Sequence, residues 1–487
     1  MSALVALACV LGLPVLQAVL VVVLARPPGL RDVVHIGFSL AVAVAAAFIL
    51  DAAIHHQSAR IVLARPLPRV ELAFVIEPLG ALMAMVIAGL GVLHAVHASG
   101  MARAAQERAP ARMMAAIALG YAAAIGAALS ANLFSFFVAY QALTLATLPL
   151  VEHNDDDAAR RAARGYLGAL LTLSIGLFLP AMVWTYAVAG TLEFHQGGIL
   201  AGHVDPVTAN VLLFLYVLGA PMTALPPGHR WLPLSSGALN SALVSIQATC
   251  VLPVGAIGLL KIAYYVFGPV LHQAVFASTA LIVLAGISMC AAALVALSKQ
   301  DLRERLAYSA MAQSMAAVIG ALLAAPEGAF AAVLQLLALT CSAATLMMAC
   351  GNMFAATGWR NAADTPGLGR RMPWTFAAFA IGAASIIGMP PFAGAWAKLW
   401  LITAAADTNY VWAAVLAGVA AILTFAHLGP LAITALVAKA PTDPFKRPDG
   451  ASILLVAPAM LSAFATFGLL VLADPLARYL APLWSAP

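Results

Sequence analysis

The chain has 487 residues, 64% hydrophobic and only 9% charged, with a formal net charge of +5. A soluble globular domain carries roughly 25% charged residues, so the composition excludes that class and points to an integral membrane protein. The five cysteines (Cys9, Cys250, Cys290, Cys341, Cys350) lie in apolar runs with no CxxC pair and no histidine at ligand spacing, so no metal, cofactor or disulfide is predicted.

About fourteen apolar runs of about 20 residues, each long enough to span a bilayer, occur near 3–25, 33–55, 74–98, 111–130, 132–151, 164–189, 208–225, 238–267, 273–298, 306–325, 328–352, 372–405, 410–438 and 452–481. The first has no basic segment before it and no cleavage site after it, which predicts a retained helix rather than a signal peptide. Residues 56–73, basic and interrupted by Pro66 and Pro68, predict an extramembrane hairpin or loop. Residues 152–164 are the most charged stretch, and acids precede bases there, as in a short interfacial helix or a solvated loop. The connecting segments are too short for a soluble domain. The chain therefore reads as one all-helical polytopic membrane domain over 1–487.

The seventh and twelfth runs are interrupted by Pro226-Pro227 and Pro390-Pro391. Proline lacks a backbone N–H and clashes with the preceding turn, so a double proline opens a helix. Opened backbone is tolerated in a membrane only where protein or a water-filled cavity meets it. Paired broken helices mark a transport path near the bilayer midplane. Their spacing predicts two inverted five-helix repeats, 110–267 and 273–438, flanked by 1–109 and 439–487. Lys398 follows the second break and is read as the lone lysine deep inside an apolar run.

Charge asymmetry sets the orientation. Loops after odd-numbered runs carry about 18 Lys/Arg, and the other side about five, Arg60, Arg65, Arg69, Lys261 and Arg478. This predicts both termini outside, with the Arg160–Arg164 and Arg370–Arg371 loops in the cytoplasm.

Three motifs resemble a known family. His229-Arg230-Trp231-Leu232-Pro233 resembles an HxWLP motif, and Asp301-Leu302-Arg303-Glu304-Arg305-Leu306-Ala307-Tyr308-Ser309 resembles D-[IL]-K-R-x-L-A-Y-S. The third is Gly388-Met389-Pro390-Pro391-Phe392-Ala393-Gly394 followed by Lys398. Together they are similar to the antiporter-like subunits of complex I, Mrp cation/proton antiporters and membrane-bound hydrogenases, over roughly residues 70–440. The resemblance implies fourteen helices and a mid-membrane chain of charged residues that moves protons or cations.

Most of that chain is absent. Gln141 stands where the resemblance implies a glutamate, and Met222 where it implies a lysine. The run Ser241 to Gly255 offers only Gln247 and Pro253, and Ala343 replaces a second lysine. Glutamine hydrogen-bonds but does not titrate, and methionine and alanine do neither. With its mid-membrane partners missing, Lys398 is expected to contribute little to conduction alone. The rival expectation is that water with Gln141, Gln247, Gln313 and Gln335 replaces the charged links, with Lys398 as the titrating relay.

Other candidates have structural alternatives. Lys398 is either a buried functional site or a lysine snorkelling to an interface. His229 with Trp231 holds the end of the broken helix or takes part in proton movement. His427 either packs or titrates. Glu77 reads as a helix cap or interfacial acid, and Asp301 to Arg305 as an interfacial ion-pair turn. His94 and His97 share a helical face without a third metal ligand.

The expected function is a membrane subunit of a multi-subunit proton- or cation-translocating complex of the Mrp, NADH-quinone oxidoreductase or hydrogenase type, with an impaired or modified path. The alternatives are a structural or assembly subunit and a subunit of an inorganic-carbon uptake system. The chain shows no active site of its own. Expected partners are other membrane subunits, the lipid bilayer, and protons or monovalent cations. No nucleic acid is expected, because the Arg-rich loops lack interleaved aromatics. The expected location is a bacterial-type inner membrane.

Overall fold

The structure, a computed structural model, describes residues 1–238, 245–439 and 452–484. Ser241 to Val244, and Lys446 and Arg447 of the loop charges, lie outside the described residues. The first helices are α1 (Ala3–Val23) and α2 (Pro28–Ile54), followed by a hairpin of β1 (Arg60–Leu67) and β2 (Val70–Val75). Then come α3 (Pro78–Ala104), α4 (Pro110–Ala128), α5 (Leu133–Val151), α6 (Asp157–Ala189), α7 (Pro206–Leu218) and α8 (Trp231–Ala238). Next are α9 (Gln247–Gln273), α10 (Val275–Ser298), α11 (Leu302–Leu322), α12 (Pro326–Thr357) and α13 (Pro373–Ile387). The chain closes with α14 (Ala393–Asp407), α15 (Val411–Val437), α16 (Ile453–Val471) and α17 (Ala473–Trp484).

Local chemistry fixes where these helices start and stop. Pro28, Pro78, Pro110, Pro206, Pro326 and Pro373 open helices, at positions where the missing N–H has no partner to lose. Glu77, Asn132, Asp156, Asp205 and Asp301 accept from backbone N–H groups of the first turns of α3, α5, α6, α7 and α11. Gly190, Gly358 and Gly388 end α6, α12 and α13 in the left-handed conformation that glycine adopts without steric cost.

Among the described residues, 11 helices are long and apolar enough to cross a membrane: α1 to α6, α9, α10, α12, α15 and α16. The protein is a multi-pass membrane protein. α7 and α13 are shorter apolar helices. α11, with 21 residues, carries Arg303, Glu304 and Arg305 in its first turns. α12 is buried along its whole apolar stretch and packs against α3, α11, α13, α14 and α16. α1, α2, α6 and α15 turn broad apolar faces outwards.

Residues 60–75 form an antiparallel hairpin with Arg60 opposite Val75 and Ile61 opposite Phe74. Arg60 bridges Glu71 and Glu193, each at 2.8 Å, and its hydrogen bond holds the Glu71 carboxyl below the usual carboxylate range. Three sequence expectations need correction. The charged stretch 152–164 is no separate loop or interfacial helix from Asp157 onwards; it is the start of α6, which continues to Ala189 through a wider turn at Ser174–Phe178. Asp156 caps it and Arg160 pairs with Asp155 and Asp157, so the charges sit at an exposed helix start and need not end the helix. The seventh apolar run stops being helical at Leu218, and the last divides at Leu472 into α16 and the short α17.

Candidate functional site

The α-helix is interrupted between Leu218 and Trp231, where only the short 3-10 turns Pro221–Thr223 and Gly228–Arg230 form, and between Ile387 and Ala393; these two stretches contain Pro226-Pro227 and Pro390-Pro391. Both Pro-Pro bonds are cis. At the second break, Pro390 has no N–H to give to the carbonyl of Ile386, four residues earlier. Lys398 on α14 supplies the donor: its Nζ lies 2.7 Å from Ile386 O and 3.1 Å from Gln313 Oε1. The lysine stem crosses Gly388, where an added Cβ would meet Lys398 Cδ at 2.7 Å. Gly394 lets the start of α14 approach the Ser385 carbonyl. Lys398 therefore points inwards and does not snorkel to an interface.

Gln313, on α11, is the hub of a polar row. Its Oε1 also accepts from Gln335 Nε2 on α12 at 3.2 Å, and its Nε2 donates to Thr424 Oγ1 on α15 at 3.4 Å. His427 lies one turn beyond Thr424. Its Nδ1 is 2.9 Å from Leu423 O, a contact that fixes the ring proton on Nδ1. Nε2 is left as a buried acceptor without a protein partner. Arg305 Nη1 donates to the His427 carbonyl at 3.4 Å and its Nε to Lys299 O at 2.8 Å. Arg305, His427, Thr424, Gln313 and Lys398 thus form a succession of polar groups leading from the start of α11 to the second break.

The first break is closed differently. Met222 N donates to Tyr140 Oη at 2.8 Å, Trp231 Nε1 to Pro221 O at 2.6 Å, and Ser314 Oγ to Thr223 O at 2.8 Å. Gly255 on α9 packs against the backbone of Met222 and Thr223. These closing groups are neutral, and Met222 is fully buried. Gln313 and Ser314, neighbours on α11, therefore serve opposite breaks.

The remaining sequence candidates are not gathered into this row. Gln141 Nε2 donates to Ser174 Oγ at 2.8 Å, and its Oε1 has no protein partner. Gln247 lies against Tyr166, whose hydroxyl is 2.7 Å from Thr147 Oγ1. His229, half-buried in the first break, has no protein partner on Nδ1. Of the four glutamines, only Gln313 and Gln335 come together with Lys398.

The structure corrects the sequence reading of the lysines, which places Lys261 in a loop and Lys398 alone in the interior. Lys261 lies in α9 with its side chain 1% exposed. Its Nζ is 3.1 Å from Glu77 Oε1 and 2.9 Å from Ser130 O, and sits 5.1 Å from the Phe194 ring centre. Tyr265 donates to the other Glu77 oxygen. Glu77 Oε1 also accepts from Gly80 N at 3.0 Å, so the cap reading holds with a charge partner added. A cavity of ≈ 190 Å³ lined by Glu77, Ser130, Gln196 and Tyr265 adjoins the pair. The available signal was the apolar run 251–260 leading into Lys261 without interruption. Asp301 pairs with Arg303 at 2.6 Å, as expected of an ion-pair turn, and also caps α11, which the sequence reading does not assign. Among the described residues no group of three or more His, Cys, Asp or Glu could hold a metal ion.

A family model described as NADH:quinone oxidoreductase/Mrp antiporter, transmembrane, matches residues 130–424, more than half of the chain. The chain is 28% identical over 357 residues to the N-type subunit of NADH-quinone oxidoreductase from Desulforudis audaxviator, covering 70% of this chain and 68% of that protein. It is 26% identical over 306 residues to the D-type subunit of the Na(+)/H(+) antiporter from Alkalihalophilus pseudofirmus, covering 62% and 61%. The matched part thus spans about two thirds or less of these curated relatives. In fold, the chain is similar to a chain of the Mrp complex from Dietzia sp. DQ12-45-1b, with a TM-score of 0.87 at 23% identity, covering 100% of this chain and 98% of that one.

Proposed function

The chain belongs to the NADH:quinone oxidoreductase/Mrp antiporter membrane family, and from that premise we propose that it is a membrane subunit of a multi-subunit complex that moves protons or monovalent cations. Its path is modified. The second half keeps one titratable lysine, Lys398, joined through Gln313 and Thr424 towards His427 and Arg305. At the first break the closing groups are neutral, and the buried charge of that half is the Lys261–Glu77 pair. The observation that carries this reading is the contact of Lys398 Nζ with both Ile386 O and Gln313 Oε1. A lysine inside a membrane is costly and is kept where it has polar partners and a task.

In this reading Lys398 takes up and releases a proton, and the neutral side chains orient water between it and the start of α11. The Lys/Arg asymmetry supports an inner-membrane orientation with both termini outside and the start of α11 at the cytoplasmic face. Moving Lys261 from the outer loops into the membrane sharpens that asymmetry. The rival reading, a purely structural subunit, draws on Met222 and Ala343, apolar and buried.

Affinity purification of the tagged full chain from its host membrane tests the assignment. Co-purifying cation-antiporter, quinone-reductase or hydrogenase subunits support it, and a chain that purifies alone contradicts it. Labelling of Arg164→Cys only from the cytoplasmic side supports the orientation; labelling from the outside in intact cells overturns it.

A further inference from the structure

α1 and α2 are apolar helices with broad outward faces, yet their shared seam buries Gln17, His35 and Ser39. Buried polar groups are costly unless hydrogen-bonded. Gln17 Nε2 lies 2.8 Å from His35 O, 3.0 Å from Ser39 Oγ and 2.8 Å from His35 Nδ1. A carboxamide nitrogen cannot accept, and an Nδ1–H facing it would have no acceptor. Nδ1 is therefore assigned as an acceptor that shares the two amide hydrogens with His35 O and Ser39 Oγ, and the ring proton is assigned to Nε2. That Nε2–H is buried and has no protein partner.

The imidazole does have space beside it. Gln17, His35, Ser39 and Tyr121 line a cavity of ≈ 10 Å³, about the room one water occupies. Its polar lining comes from α1, α2 and α4, which can supply the two or more partners a buried water needs. Tyr121 leads onwards, since its hydroxyl donates to Thr249 Oγ1 at 2.8 Å and lies 3.2 Å from His94 Nδ1.

We propose that His35 is a proton-binding site inside the membrane, solvated by a single buried water that it shares with Tyr121. In the neutral ring, Nε2–H donates to the water and Nδ1 accepts from Gln17. When one proton arrives at Nδ1, the Gln17 carboxamide turns its oxygen to receive the new N–H, and the water remains on Nε2. The nearest charge on the same helix is Arg31, one turn earlier and held by Asp32, which also binds Arg103 of α3. The other titratable groups on the packed helices are Cys9 on α1, His94 and His97 on α3, and Arg112 and Tyr121 on α4. The site lies apart from the Lys398 row and does not depend on the complex moving ions, so the two readings fail separately.

The test is solid-state NMR of the full-length protein, labelled with 15N-histidine, in lipid bilayers. The expected signal is absent from His35→Gln, shows the Nε2-protonated neutral ring in contact with water, and shifts to the doubly protonated ring as pH falls. A ring protonated on Nδ1, a dry ring, or a ring that never takes a second proton overturns the proposal. Tyr121→Phe keeps the aromatic ring over Gly91 and removes the hydroxyl. It is expected to weaken the water contact and lower the midpoint of the His35 titration; no change in either overturns the shared water.

Discussion

Lys398 donates to the carbonyl oxygen of Ile386 at 2.7 Å, the acceptor that Pro390 leaves without its helical partner. The proline break and the intramembrane lysine are therefore one device. The break frees a carbonyl dipole, and the carbonyl holds the ammonium of Lys398 facing Gln313 rather than lipid. The same geometry makes Lys398 a structural element as well as a titratable one, so tests of its role must separate assembly from transport.

Gln313 is the branching point between Lys398, Gln335 and Thr424. Gln313→Leu keeps the approximate volume and removes every side-chain hydrogen bond to those partners. Proton or cation transport in sealed vesicles is expected to fall by about ten-fold, the loss of one or two hydrogen bonds to a charged group. Gln313→Glu is expected to retain transport, because a carboxylate still accepts from Lys398 and adds an opposite charge. Equal activity in Gln313→Leu and the native protein would remove Gln313 from the path.

Lys261 and Glu77 form a buried ion pair that joins α9 to the start of α3. Removing one partner leaves the other charge buried and uncompensated, at a cost of about 3 kcal/mol. Lys261→Met is expected to lower the thermal midpoint of the protein in detergent, and Glu77→Gln to lower it less, because Gln keeps an oxygen for Gly80 N. The double variant should recover part of the loss. Independent, additive losses would show that the pair is not coupled.

Asp301 offers a pH test outside the membrane. Burial raises its carboxyl pKa, but the hydrogen bonds and charge of Arg303 outweigh that and hold it below the ordinary aspartate value of 3.8. A carboxyl depressed in the folded state stabilises fully above the unfolded pKa, and that contribution is lost as pH falls through the folded value. Asp301→Ala is expected to cost about 1 kcal/mol at neutral pH, the size of a lost helix cap. The difference from the native protein should shrink as pH falls below the ordinary value; a difference that grows would reverse the sign assigned here.

What was legible in the sequence is what local chemistry controls. Pro226-Pro227 and Pro390-Pro391 act within a turn of their own positions, and the interruptions contain them. The hairpin read in 56–73 and the ion-pair turn read at Asp301 to Arg305 are equally local. Lys261 was illegible because hydropathy treats a lysine near the end of an apolar run as interfacial, and Glu77 reaches it only through packing of α3 against α9. The division among the glutamines was illegible for the same reason. Gln141, Gln247, Gln313 and Gln335 are alike in sequence, and only helix packing brings the last two to Lys398. The continuity of α6 was hidden because charges at a helix start look like a loop until Asp156 is seen capping it and Arg160 pairing with Asp155 and Asp157.

The central claim is that transport through this subunit depends on Lys398. The direct measurement is proton or cation flux in sealed vesicles carrying the assembled complex, with Lys398→Ala beside the native chain and assembly checked by co-purification. Substantial loss of flux with normal assembly is the predicted result. Unchanged flux with normal assembly would contradict the account and leave Lys398 as a brace for the broken helix.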